Sequence, residues 1–151
     1  DDLLREAVAL AEPRVRRLDI ALDWQVRPAD LAACGNRLAM EQVLGNLINN
    51  SLDAFEAGAR SGWIRIEADL NADTAQVTIT VADNAGGFDT ERLSQPFTPL
   101  DSSRAEGLGL GLVISRRLMQ RQRGSIEIGN HARGGAEIRL TLPASTEDAN
   151  P

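Results

Sequence analysis

The 151-residue chain contains no lysine; all 16 of its basic residues are arginine. That absence removes several kinds of chemistry. A Walker A loop needs its phosphate-binding lysine, a eukaryotic-type protein kinase its strand lysine, and Schiff-base catalysis an amine. Any nucleotide must be held by other means. Cysteine is almost missing too: Cys34 stands alone, so no internal disulfide is available, which fits a reducing compartment. No apolar stretch approaches the ~18 residues that span a bilayer, and the N-terminus lacks a signal-peptide pattern. A start at Asp1 without methionine is the expectation for a piece of a longer protein. Acidic residues outnumber basic ones, 22 to 16, which argues against unaided nucleic-acid binding.

What is present suits one compact domain. With 42% hydrophobic residues, a chain of this size buries roughly 68–70% of its unfolded surface. In residues 1–15, Leu3, Leu4, Ala7, Val8, Leu10 and Ala11 recur at helical spacing, and the helix is expected to end near Pro13 and the cluster Arg14, Arg16, Arg17. Leu18, Ile20, Leu22 and Trp24 alternate as in a half-exposed strand. Residues 29–35 are ambiguous. Asn36 reads as a helix cap, with Leu38, Val43, Leu44, Leu47, Ile48, Leu52 and Phe55 along one side of a helix over 37–57 that Gly58 ends. Residues 63–70 and 75–83 alternate with period two and are joined as a hairpin through 71–74. Periodicity is lost over 84–107, a stretch long enough to be a functional lid or a disordered loop. A helix over 108–122 and strands over 125–129 and 137–142 complete the pattern, and 143–151 reads as a tail. The order predicts a two-layer α/β sandwich: a mixed sheet with three helices on one face and the other face partly open.

Three clusters could carry chemistry. In the long helix, Asn46 and Asn50 lie four apart on one face with Asp53 near them. Asparagine is a poor helix former, so its repetition there is either a solvated face or a set of ligands. A neutral amide oxygen can hold Mg2+ and leave room for phosphates. Asp83-Asn84-Ala85-Gly86-Gly87-Phe88 follows directly on a strand. It reads either as an ordinary turn or as a carboxylate beside a tight backbone bend, able to accept the exocyclic amine of adenine. Gly107-Leu108-Gly109-Leu110-Gly111-Leu112 runs into a helix, where unshielded N–H groups and the helix N-terminus favour anions. It differs in spacing from the dinucleotide fingerprint, and a flexible hinge is the alternative. Gly134-Gly135 reads as a hairpin turn, and His131, the only histidine, as an exposed polar residue in it.

The order of these clusters resembles the catalytic and ATP-binding domain of bacterial sensor histidine kinases, within the gyrase/Hsp90/histidine-kinase/MutL ATPase superfamily. The likeness runs from about Leu3 to Pro143, and its doubled Gly-Leu phrase and short lid are most similar to the nitrogen-regulation and dicarboxylate-sensing kinases. It implies the Bergerat fold with a mobile ATP lid, over domain bounds of 1–15 (a helix following a linker), 16–143 (the ATP-binding domain) and 144–151 (a flexible tail). It implies ATP and Mg2+ as cofactors. Asn46 and Asn50 become catalytic, with Asn50 the metal ligand and Asp53 beside them, and Asp83 becomes the adenine reader. Gly87, Phe97 of Gln95-Pro96-Phe97, Arg104, and Gly107 through Leu108, Gly109, Leu110 and Gly111 to Leu112 complete the nucleotide site. Gly134-Gly135-Ala136-Glu137-Ile138 matches the last-strand motif.

The chain departs from the family pattern at three points. Ala85 replaces a glycine and fits only if its φ stays negative. The lid lacks its usual lysine, so Arg104, Arg116 or Arg117 would supply the charge, and Ala136 stands where many relatives have threonine. Hydrolytic members carry a glutamate base where this chain has Asn46, and Glu41 is out of phase with Asn50, so transfer to a protein acceptor is favoured over transfer to water. The implied reaction moves the γ-phosphoryl of ATP to a histidine on a separate dimerisation domain, with a response-regulator receiver domain as the further partner. The domain is expected to be cytoplasmic and monomeric, within a homodimeric parent whose membrane attachment, if any, lies upstream. Two alternatives stay open: an anti-sigma-type serine kinase, and a non-catalytic nucleotide-sensing or scaffolding domain.

Overall fold

The computed structural model describes residues 1–58, 61–99 and 108–145. The order is α1 (Asp2–Arg17), β1 (Ile20–Arg27), α2 (Arg37–Gly58), β2 (Gly62–Asn71), β3 (Gln76–Asp83), α3 (Thr90–Ser94), α4 (Leu108–Arg121), β4 (Ser125–His131) and β5 (Gly135–Pro143). The strands form one mixed sheet in the order β1-β2-β3-β5-β4. β1 runs parallel to β2, joined through α2, and every other pairing is antiparallel. This is the expected two-layer sandwich.

Alternation along the strands divides the sheet. Ile64, Ile66 and Ala68 of β2, Val77, Ile79 and Val81 of β3, and Ile138, Leu140 and Leu142 of β5 are buried against the helices. The intervening residues, among them Arg65, Glu67, Thr80 and Arg139, pair across the other, open face. α2 fills the centre with Val43, Leu44, Leu47, Leu52 and Phe55, while α4 adds Leu112 and Met119. Burying one such side chain contributes about 1.5–3 kcal/mol, so this layer dominates stability and fixes α2 against the end of β3.

Several local readings are corrected. α1 passes through Pro13 and ends within the expected arginine cluster, at Arg17. Pro13 and Ala9, whose carbonyl loses its helical donor, both lie on the exposed side where water replaces the bond, while Val15 is buried beyond them. Leu10 and Leu38 point outward, 84% and 73% exposed, because helical spacing alone does not say where an apolar stripe stops. The aperiodic stretch holds the short helix α3, capped by Asp89, whose carboxylate accepts from Arg92 N at 2.7 Å. Ala144 and Ser145 do not fray: their N–H groups donate to Ala75 O and Ala32 O, each at 2.9 Å.

The cap of α2 is as expected, with Asn36 Oδ1 accepting from Ala39 N at 2.9 Å. Asn36→Ala is predicted to cost about 1 kcal/mol, read as a lower denaturant midpoint at unchanged slope. Gly45, inside the same helix, has nothing within 4 Å of where a Cβ would stand. Gly45→Ala should therefore stabilise by about 0.5–1 kcal/mol and raise the melting temperature by roughly 1–4 °C.

Candidate functional site

Asp83 ends β3 in the middle of the sheet, with its carboxylate under α2 and only 3% of the residue exposed. A buried anion needs donors, and three arrive from three segments. Ser51 Oγ of α2 donates to Oδ2 at 2.6 Å, and Ala85 N and Ala136 N donate to Oδ1 at 3.0 and 3.3 Å. An ionised carboxylate has about four acceptor positions. Three are used, which leaves one acceptor position on the carboxylate. The chain then turns through Gly86 (φ 121°) and Gly87 (φ 82°), conformations that favour glycine, whereas Ala85 keeps a negative φ and fits its position.

The helix asparagines meet α4. Asn46 Nδ2 donates to the Gly111 carbonyl at 3.3 Å and to the fully buried Ser115 Oγ at 3.2 Å, fastening α2 to the first turns of α4. Asn50 lies one turn further on and is buried, and among the described residues its Nδ2 is the one buried side-chain nitrogen or oxygen without a hydrogen-bond partner. A Cβ at Gly111 would stand 3.8 Å from both Asn46 Cβ and Asn50 Oδ1, so the glycine leaves open the space over the two amides. Such a lone buried N–H2 donor costs free energy unless an acceptor completes it.

Asp53 has a different setting from the one expected. Its Oδ1 accepts from Arg14 Nη2 of α1 at 2.7 Å, while the same guanidinium reaches Asn49 Oδ1 and Glu56 Oε2, each at 2.9 Å. The hydrogen bond and charge of Asp53 raise the Arg14 pKa above its ordinary value. Phe97 packs on the rim of the core, with the Arg116 guanidinium 4.8 Å above its ring centroid. Arg116 is thus engaged by the aromatic ring, and Arg117 is exposed. Glu41 accepts from Arg37 Nε at 2.9 Å. Arg92 donates to Thr98 O at 2.9 Å, and burial lowers its pKa. Arg104 and Gly107 lie outside the described residues. Of the remaining glycine-rich segment, Leu108, Gly109, Leu110, Gly111 and Leu112 form the opening turn of α4, with Leu112 buried and Leu110 exposed.

Four contributors escape a reading of the sequence. Ser51 and Ser115 are ordinary helix serines until α2 meets β3 and α4. His131 is not a free turn residue: its Nε2 lies 2.7 Å from Asp83 O, and its ring stacks on Trp63 at a centroid separation of 5.5 Å. Gly135 is more than a turn residue, because a Cβ there would fall 1.8 Å from Asp83 O. Only the strand-end position of Asp83 hinted at any of these contacts.

The family described as histidine kinase-, DNA gyrase B-, and HSP90-like ATPase matches residues 35–146, which hold both the carboxylate and the asparagine cluster. The chain belongs to this family. Within the ATPase family its resemblance is to sensor kinases. The C4-dicarboxylate transport sensor protein DctB of Pseudomonas aeruginosa is 34% identical over 143 residues, 92% of this chain and 23% of that protein. The catalytic domain of histidine kinase ThkA superposes with a TM-score of 0.82 at 26% identity, covering 96% of this chain and 94% of that domain. ThkA in complex with the response regulator protein TrrA gives 0.76 at 26% identity, covering 97% of this chain and 41% of that chain. The chain is an ATP-binding catalytic domain of the histidine-kinase type, and its sandwich is the fold of those domains. It spans under a quarter of the length of the curated relatives DctB and DctS. Among the described residues no helix is long and apolar enough to cross a membrane.

Proposed function

We propose that this domain transfers the γ-phosphoryl of ATP to a histidine on a separate dimerisation domain of its parent, from which a receiver domain is phosphorylated. The observation that carries the reading is Asn50, whose Oδ1 lies beside the space left by Gly111 while its buried Nδ2, without a partner among the described residues, can donate only to an incoming acceptor such as a phosphate oxygen. Asp83 would accept the exocyclic amine of adenine. Peptide N–H groups at the start of α4 would face the phosphates, with the helix dipole favouring their charge.

Asn50 offers Mg2+ one neutral amide oxygen and leaves the other positions to phosphate and water. Asn50 would hold the ion, which when bound supplies charge neutralisation on the phosphate oxygens. Asn46 orients the site by tying α2 to α4, and as an amide it cannot serve as a base for water. That supports a protein acceptor over hydrolysis. Asp53, Gly87, Phe97 and Arg104 complete the proposed nucleotide set, with Asp53 held at the rim by Arg14. Gly107 and Leu108 to Leu112 would frame the phosphates.

The complex of ThkA with its response regulator supports the receiver partner. A homodimeric parent and a cytoplasmic setting follow from the same reading. The test is phosphate transfer from γ-labelled ATP by the full-length parent. Acid-labile, base-stable label on the parent, passing to a receiver domain, is expected. Release of inorganic phosphate at the rate of ATP loss, with no protein label, would overturn it.

A further inference from the structure

β4 ends on Asn130 and His131, and these neighbours hold opposite ends of the segment from Asp83 to Phe88. Asn130 Oδ1 accepts from Phe88 N at 2.7 Å while its Nδ2 donates to Phe88 O at 2.8 Å. One side-chain amide thus satisfies both backbone groups of Phe88, as a neighbouring strand would. A Cβ at Gly87 would lie 2.7 Å from Asn130 Oδ1, so a side chain there would push the amide off.

His131 holds the other end. In the sheet β5 separates β4 from β3, and His131 pairs with Gly135 of β5. A Cβ at Gly135 would collide with both Asp83 O, at 1.8 Å, and His131 Nε2, at 2.7 Å. The bare glycine is what lets the imidazole reach across β5 to the Asp83 carbonyl. A carbonyl only accepts, so Nε2 carries the proton. Nδ1 then accepts from Arg133 N at 3.2 Å, which selects the neutral Nε2–H tautomer. Trp63 backs the ring, and its own N–H and C=O are bonded to Asn84, the residue after Asp83.

We propose that Asn130 and His131 are positioning residues that clamp the Asp83–Phe88 segment and so set how strongly the site prefers adenine over bases lacking its exocyclic amine. Neither residue needs to touch the nucleotide. The clamp fixes the backbone from which the Asp83 carboxylate projects, and the carboxylate distinguishes an amine donor from a carbonyl acceptor. Contacts to the phosphates lie elsewhere, so loosening the clamp reduces discrimination more than overall binding. The proposal rests on the ATP-site reading in its base-selectivity half, and its other half concerns the nucleotide-free protein.

The experiment has two arms. In the first, ADP and IDP, which differ in the exocyclic group, are titrated into the protein and its variants. His131→Ala and Asn130→Ala should lower the ADP:IDP affinity ratio about tenfold, the size of one lost hydrogen-bond contribution, with IDP affinity within about twofold of the parent on the same account. His131→Gln, whose amide can still donate near the Nε2 position, should restore the ratio, and the shorter His131→Asn should not. In the second, amide hydrogen exchange is followed without nucleotide. Ala85 and Ala136, bonded to the Asp83 carboxylate, should exchange faster in His131→Ala, and Phe88 faster in Asn130→Ala. The 15N spectrum of His131 should report the Nε2–H tautomer. An unchanged ratio in both alanine variants, equal behaviour of the Gln and Asn variants, or unchanged exchange at these amides would overturn the clamp. Failure of the parent to bind ADP would overturn the ATP-site reading and with it the selectivity half, and the exchange arm would still decide whether the segment is clamped.

Discussion

Asp83→Asn should weaken binding of a non-hydrolysable ATP analogue by roughly 30- to 150-fold, the range for losing a charge-assisted hydrogen bond of about 2–3 kcal/mol. The fold should survive. An asparagine at 83 can keep its oxygen on Ala85 N and Ala136 N and turn its amide toward Ser51 Oγ, which can accept as well as donate. What disappears is the negative charge and the last acceptor position available to the base. Calorimetric titration reads the affinity and circular dichroism checks the fold. An affinity within threefold of the parent in a folded variant would remove Asp83 from the site.

The second large effect is expected on turnover. Asn50→Ala deletes the one buried side-chain amide left without a partner among the described residues. Charge developing on a transferring phosphoryl group is stabilised by groups already in place, and losing one such contribution costs about 10²–10³ in rate. Phosphorylation of the acceptor histidine by the full-length parent, at saturating Mg2+ and ATP, should fall by that factor. Nucleotide affinity measured without Mg2+ should move by less than about threefold, since the proposed adenine recognition is assigned to Asp83 and each tenfold change needs about 1.4 kcal/mol. Transfer at more than a third of the parental rate would contradict the assignment.

Much of this arrangement was legible because local chemistry and fold agree. The alternating runs gave β2 and β3 their faces, Asn36 marked the start of α2, and a carboxylate at a strand end followed by two glycines located Asp83. α4 followed from the helical pattern that resumes at Leu108. What stayed hidden depends on distance along the chain. His131 reaches Asp83 across 48 positions and Arg14 reaches Asp53 across 39, and no local pattern encodes either meeting. The continuation of α1 past Pro13 follows from Val15 finding the core, a tertiary gain that overrides a local propensity. α3 escaped because five residues are too few for a helical period to register, although its Asp89 cap was there to be read.

α1 is joined to α2 in two different ways. Leu4, Ala7, Ala11 and Val15 bury a narrow stripe of small and aliphatic side chains. Ion pairs stand at both ends: Arg37 with Glu6 at one, and Arg14 with Asp53 and Glu56, joined by Arg17 with Glu56, at the other. Exposed and half-exposed pairs of this kind are weak and salt-screened, so the apolar stripe supplies the adhesion. Smooth, small-residue stripes resist separation better than sliding, and the arginines act as pins that fix the helix in azimuth. Salt screens pins and leaves adhesion intact. At high ionic strength α1 should stay attached and turn more freely about its own axis.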